Sequence, residues 1–273
     1  MEKAIKRYFP IFVLPTMIAF TLGFIIPFVE GVYLSFCKFT TVNDAKFVGF
    51  ANYAKVFADE TFVHAFWYTA AFTVVSVILI NVLAFAVALL LTKGFKGTNI
   101  FRTVFFMPNL IGGIVLGYIW QLLLNGILMK FSRTLTYSST YGFWGLIILM
   151  CWQQIGYMMI IYIAGIQNIP GELIEAAEID GATKWQILKK VTIPMVMPSI
   201  TVCTFKLFDQ NLALTNGEPS KMSEMLALNI FYTFYGRTGY EGVGQAKAVI
   251  FFILVTVIAL TQNYLTRRKE VQQ

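Results

Sequence analysis

Long uncharged stretches set the strongest limit on what this 273-residue chain can fold into. Ile11–Val29 carries no charge and continues past Glu30 to Phe36, and Ala65–Thr92 and Thr103–Met129 are uncharged. Phe143–Gln167 lies inside a longer uncharged run, Ile193–Leu214 is apolar apart from Lys206 and Asp209, and Ala248–Thr266 is the last. A helix needs about 20 mostly apolar residues to cross a bilayer. Lipid offers the backbone no hydrogen-bond partners, so runs of this length are expected as helices. The pattern predicts an all-α integral membrane protein with six transmembrane helices, at about 11–36, 65–92, 101–124, 143–167, 193–214 and 246–266, in a single domain over 1–273.

Composition agrees. Hydrophobic residues make up 58% and charged residues 13%, against roughly 45–50% and about 25% in a water-soluble domain. So few charges could not cover that much apolar surface in water. One histidine, His64, and three cysteines exclude a zinc finger, a disulfide framework or a histidine-rich metal site as the organising chemistry. The net charge of +7 does not point to nucleic acid. The basic residues cluster beside apolar runs, and no basic stripe interleaves with aromatics in a polar segment.

Lys3, Lys6 and Arg7 precede the first apolar run as in a signal peptide, but no small-residue cleavage site follows it. The bulky Phe36 before Cys37 also argues against a lipoprotein signal, so the run is read as a span. With six spans both termini share one side. An N-terminus inside the cell places twelve Lys/Arg in cytoplasmic segments and eight in outer ones. That bias predicts both termini in the cytoplasm and a multi-pass protein of the cytoplasmic membrane. Pro15, Pro27, Pro108 and Pro198 fall inside spans, where kinks suit a bundle with a cavity. Two outer loops are long, Cys37–His64 and Thr215–Gln245. In the second, Ser223 precedes an apolar run as a helix N-cap would, predicting a short interfacial helix.

The segment between spans four and five, 169–192, reads as a helix–turn–helix. Pro170 suits a first turn and the acids after it favour a helix N-terminus. Leu173, Ala176, Ala177 and Asp180 share one face. Gly181 fits a helix stop, and Thr183 with Gln186 forms a capping box for a second short helix. The small Leu-Ala-Ala patch lets another surface approach the backbone closely. The same pattern also describes a hairpin packed on its own bundle.

Glu175-Ala176-Ala177, then Gly181, then Val191-Thr192-Ile193-Pro194 resembles the EAA loop of ABC-transporter permeases. Val191 and Ile193 stand where that family usually has Ile and Leu. Further matches resemble its sugar-type branch, which includes maltose, multiple-sugar and glycerol-3-phosphate permeases. They are Val48-Gly49-Phe50-Ala51-Asn52-Tyr53, Phe101-Arg102-Thr103-Val104-Phe105-Phe106-Met107-Pro108, Phe208-Asp209-Gln210 and Leu214-Thr215-Asn216-Gly217-Glu218-Pro219. Glu218 departs from the usual glycine. The resemblance implies the permease core of an ABC importer, with 169–192 as its cytoplasmic coupling helix–turn–helix. It implies a heterodimer with a second permease, two ATPase subunits and an extracellular solute-binding protein. The implied cargo is a sugar or oligosaccharide, with glycerol 3-phosphate as the alternative. Leu173, Glu175, Ala176, Ala177, Asp180 and Gly181 would then contact or shape the ATPase docking face.

Gly94-Phe95-Lys96-Gly97 lacks the spacing and the following Lys-Ser/Thr of a phosphate-cradling loop. The expectation is no cofactor in this chain, with ATP and Mg in the partner ATPase, and no enzymatic activity here.

Polar residues inside spans are costly unless they face the bundle interior or water. Asn81, Asn109, Gln121, Gln153, Gln154, Thr204, Lys206, Asp209 and Gln210 are candidates, with Trp120, Trp152 and Tyr157 nearby in sequence. Asn109, Gln153, Gln154, Thr204, Lys206, Asp209 and Gln210 are expected to border a solute path. Interhelical hydrogen bonding is the competing role for each Asn and Gln, and Lys206 could pair with Asp209 one turn away. A secondary transporter remains a second reading, with only Glu30 and Asp209 as intramembrane acids; a membrane enzyme would need a polar catalytic cluster that the sequence lacks.

Overall fold

A computed structural model describes residues 2–94, 96–196 and 207–267. Helices account for nearly all of it. In chain order they are α1 (Glu2–Phe20), α2 (Ile26–Ser35), α3 (Ala51–Phe57), α4 (Glu60–Leu91), α5 (Thr98–Phe106), α6 (Gly113–Leu128), α7 (Ser139–Gln167), α8 (Gly171–Ile179), α9 (Lys184–Ile187), α10 (Ile193–Val196), α11 (Asp209–Leu214), α12 (Leu226–Gly236) and α13 (Glu241–Arg267). A two-stranded antiparallel ribbon joins Cys37–Lys38 (β1) to Lys46–Phe47 (β2). Among the described residues five helical stretches are long and apolar enough to span a membrane: Val13–Ser35, Glu60–Leu91, Gly113–Phe131, Ser139–Gln167 and Glu241–Tyr264. The expected fifth span, 193–214, falls partly on residues outside those described.

The third apolar stretch is not one helix over 101–124. α5 ends at Phe106, a 3-10 turn covers Met107–Leu110, and α6 starts at Gly113. Pro108 lacks the N–H an α-helix would need there, and the chain turns extended at Ile111 and Gly112 before restarting. Two π-turns have a related cause. Thr21–Ile25 lies two residues before Pro27, and Leu188–Thr192 two residues before Pro194. Widening the preceding turn accommodates the missing donor and the ring.

The chain divides into two compact units, Met1–Phe62 with Asn229–Ile253, and Val63–Leu228 with Leu254–Gln273. In the first, the buried amide of Asn52 donates to the carbonyls of Ser35 (2.9 Å) and Cys37 (2.8 Å). Tyr53 and Ser35 share a hydroxyl–hydroxyl bond of 2.7 Å. The Phe50-Ala51-Asn52-Tyr53 stretch is therefore a clamp that folds the loop after α2 back onto the end of that helix. A second tie is Lys247, which is 0% exposed. Its ammonium donates to Asp59 Oδ2 (2.7 Å), Asn229 Oδ1 (2.7 Å) and Thr233 Oγ1 (2.8 Å). Asp59 also accepts from the backbone and hydroxyl of Thr61. Partial burial opposes its charge, but the bonds from Lys247 and Thr61 prevail and hold its carboxyl below the usual carboxylate range. Sequence reading counted Lys247 among outer-loop charges; it is instead one residue of α13 turned inward.

The second unit is built around α7, buried along most of its length by Leu146, Leu149, Met150, Met158, Met159 and Ile163. Phe72, Ile80, Ala84 and Ala88 of α4 join this core, with Leu135, Leu214 and Met225. Asn81 and Tyr162 hydrogen-bond across α4 and α7, so Asn81 serves packing. His64 bonds the Met222 carbonyl at 2.9 Å. Ser223 does not cap α12; its hydroxyl donates to the Glu218 carbonyl, and the helix starts at Leu226. Cys37 and Cys151 are buried free thiols that fill space.

Candidate functional site

Two parts of the second unit carry the candidate residues. The first is 169–192. α8 opens after Pro170 with Glu172 in its first turn, where a carboxylate faces the positive helix end. It closes in a Schellman arrangement: Gly181 N–H donates to Glu178 O (3.0 Å) and Ala182 N–H to Ala177 O (2.9 Å). That geometry needs a left-handed residue, and Gly181 has φ +76°. Thr183 then caps α9: Gln186 N–H donates to Thr183 Oγ1 (3.3 Å) and Thr183 N–H to Gln186 Oε1 (2.7 Å). The capping box and the glycine stop read from sequence are both present.

The two faces of this loop separate cleanly. Ile174, Val191 and Met195 pack against the core cluster, and Ile169 and Ile187 are buried. Leu173, Glu175, Ala176, Asp180 and Gly181 are exposed, while Ala177 is half-buried and leans toward the bundle. Ile179 is 87% exposed and Trp185 68%. The outward apolar stripe is thus Leu173–Ala176–Ile179 with Trp185 beside it; it keeps Leu173 and Ala176 of the face expected from spacing and has Ile179 in place of the half-buried Ala177. Neither Ile179 nor Trp185 was singled out from sequence. An isoleucine and a tryptophan flanking a glycine stop were the available signal.

The second part lies where α6, α7 and α11 meet. α11 packs directly on α6 because Gly113 and Gly117 present no side chains. A Cβ on Gly113 would sit 2.8 Å from Asp209 Cβ, and one on Gly117 would collide with Ala213. This glycine-x-x-x-glycine contact brings the backbones together as in other membrane helix pairs. Gln210 donates to Gln153 Oε1 at 2.9 Å, and Gln153 donates to the Ile111 carbonyl at 3.4 Å. Gln121 donates to the Leu214 carbonyl at 3.0 Å. Gln153 is buried, so its amide serves to join α7, α11 and the break after α5. Asp209 is exposed at the first turn of α11. Trp120 and Trp152 meet edge to face at 5.5 Å between centroids, and part of Trp152 stays open. Gln154 is half-buried beside Gln153, and Asn109 is half-buried on the 3-10 turn. Thr204 and Lys206, and with them the Lys206–Asp209 pair, lie outside the described residues.

Sequence reading missed Asn211, which is fully buried and organises the loop after α11. Its amide donates to Thr215 Oγ1 (2.9 Å) and the Ser223 carbonyl (2.8 Å), and its oxygen accepts from Met225 N–H (3.0 Å). The arrangement as a whole offers an exposed carboxylate, amides and an aromatic face, the groups that hydrogen-bond and stack on polyhydroxylated solutes. Among the described residues no group of three or more His, Cys, Asp or Glu is placed to hold a metal ion.

Residues 80–271 match the family model described as binding-protein-dependent transport system inner membrane component. The chain is 40% identical to the probable starch degradation products transport system permease protein AmyD of Thermoanaerobacterium thermosulfurigenes, over 96% of this chain and 94% of that one. It is 28% identical to the multiple sugar-binding transport system permease protein MsmF of Streptococcus mutans, over 99% of each. Among solved structures it resembles a chain of a bacterial ABC transporter that imports the acidic polysaccharide alginate, with TM-score 0.80, 22% identity, and 97% and 98% of the two chains covered. At that identity the likeness speaks for the fold.

Proposed function

Because the chain belongs to the binding-protein-dependent transport system inner membrane component family, we propose the following division of labour among its parts. The chain is a multi-pass transport permease of the cytoplasmic membrane and not an enzyme; ATP is hydrolysed in separate subunits. It carries a sugar or oligosaccharide, as do the systems for which its relatives are named. Six spans, both termini in the cytoplasm, a second permease subunit, two ATPase subunits and an extracellular solute-binding protein complete the reading. The solute passes beside Asp209, Gln210 and Trp152, with Asn109, Gln154, Thr204 and Lys206 as further candidates and Gln153 holding the helices that line the path. The exposed Asp209 carboxylate favours a neutral glycan over an anionic phosphoester.

Coupling runs through 169–192. The supporting observation is the double-faced, doubly capped loop: one side is packed into the core around α7, and the other presents Leu173, Ala176 and Ile179 outward. Such a loop transmits a push from a partner without bending, because the Gly181 turn and the Thr183–Gln186 box leave little slack. Glu175 and Asp180 supply polar contacts at the rim. The test is Ala176→Asp in the complete transporter. Solute uptake and co-purification of the ATPase should both fall, with the permease still inserted at normal level. Normal uptake with the ATPase fully bound would show that the loop is not the coupling element.

A further inference from the structure

A second ligand chemistry is built at the level where the first unit leaves the bilayer. The Asn52 amide joins the end of α2 to α3, through Ser35 and Cys37. A Cβ on Gly242 would lie 2.8 Å from that same amide nitrogen, so the start of α13 is in the same layer. Ser35 ends one candidate span, and Glu60 and Glu241 begin two others. Residues adjoining this layer therefore sit at headgroup depth.

Tyr240 immediately precedes α13 there. Lys55 Nζ lies 5.8 Å from its ring centroid and the Arg237 guanidinium 5.9 Å. Two cations sharing one aromatic ring repel each other, and the ring quadrupole offsets this only in part. Among the described residues neither cation forms an ion pair; Asp59 is held by Lys247, Asp44 is held by the Thr40 and Thr41 backbone, and Glu241 pairs with neither. Both cations are exposed. On the same short helix Phe57 is 68% exposed, and Phe50, which precedes it, is 74% exposed. Exposed aromatics beside unpaired Lys and Arg at the end of a span form the composition of a membrane interface.

We propose that Lys55, Arg237 and Tyr240 hold the phosphate of an anionic phospholipid headgroup, with Phe50 and Phe57 seated among the upper acyl carbons. The bound lipid's single negative charge relieves the repulsion between the two cations, and its chains continue the lipid-facing surface of α2 and α13. The occupant is a phosphodiester on a lipid, because only a ligand with an apolar tail engages the two phenylalanines together with the cations.

The experiment uses the complete transporter in nanodiscs of phosphatidylcholine alone or mixed with phosphatidylglycerol, followed by native mass spectrometry of retained lipids. The wild type should retain phosphatidylglycerol in preference to phosphatidylcholine. Lys55→Ala/Arg237→Ala should reduce that preference roughly thirtyfold, from about fivefold per basic group. Lys55→Arg/Arg237→Lys should keep it, which separates charge from fold. Equal retention by the wild type and the double alanine variant would overturn the proposal. Displacement of the retained lipid by millimolar inorganic phosphate alone would overturn it in favour of a small-anion site. Unchanged lipid retention, with loss of binding-protein-stimulated ATP hydrolysis in both lipid mixtures, would assign the cations to an acidic protein surface instead.

Discussion

Removing Asp59 should harm this protein more than removing Lys247, although the two form one ion pair. Lys247 is fully buried, whereas the Asp59 side chain keeps 21% of its surface. Asp59→Ala takes away the carboxylate bonded to a buried ammonium that also donates to the neutral acceptors Asn229 and Thr233; breaking a buried ion pair in this way costs about 3–5 kcal/mol. Lys247→Met fills the same space with an apolar chain. The remaining carboxylate still accepts from Thr61 and reaches water, so the cost should be about 1–3 kcal/mol. Asp59→Asn with Lys247→Met removes both charges and should be milder than Asp59→Ala alone. The assay is thermal unfolding of the purified permease complex by fluorescence-detected size exclusion. At about 2–4 °C per kcal/mol for a chain of this size, Asp59→Ala should lower the midpoint by roughly 6–20 °C. If the two charge removals proved equal and strictly additive in the double variant, the tripod around Lys247 would not be a coupled unit.

Other parts of the structure make equally direct predictions. Gly117→Leu drives a side chain into Ala213 and should cost about 1–3 kcal/mol by overpacking; uptake should collapse while Gly126→Leu, at a glycine with open space around it, stays near normal. Gln210→Leu breaks the bond to Gln153 and should lower uptake at saturating solute, and an unchanged maximal rate would remove Gln210 from the path. The Asp59 carboxyl titrates below its ordinary value, so its stabilisation is complete above about pH 4 and is lost only as pH falls through the lower folded value. The difference in melting midpoint between the wild type and Asp59→Asn/Lys247→Met should therefore be flat from about pH 8 to pH 5; a difference that vanished in that range would contradict the ion pair.

Much of this architecture is visible in the residues because its determinants are local. An uncharged run of twenty residues has few options in lipid, and Thr183, Gln186 and Gly181 act on backbone groups within four residues of themselves. The features that escaped depend on residues far apart in sequence. Nothing near Lys247 says that Asp59 and Asn229 will converge on it, although a lysine just inside an apolar run is itself a signal. Pro108 was visible as a kink, but that it sits inside a six-residue break, 107–112, between two separate helices was not. Ala177 and Ala176 are chemically alike, and only the burial of Ile174 decides which of them faces outward. Asn52 and Asn211 look like ordinary loop amides until their carbonyl partners are brought to them.

The π-turn at Thr21–Ile25 alters how the first span is read on either side. A π-turn holds one residue more than the α-turn it replaces. The face that recurs at three- and four-residue intervals through α1 therefore resumes in α2 one position later than a continuous helical wheel would place it. Phe20, Phe24 and Phe28, stacked at 5.1 and 6.1 Å between ring centroids, span that slip and keep one aromatic row running across it. An α-helix sets residues four apart about 40° out of line, and the wider turn brings them closer to eclipse. The row turns onto Phe252 through Phe28 at 4.7 Å. The wide turn thus acts as a phase corrector that lets a proline-bearing helix keep a straight aromatic edge.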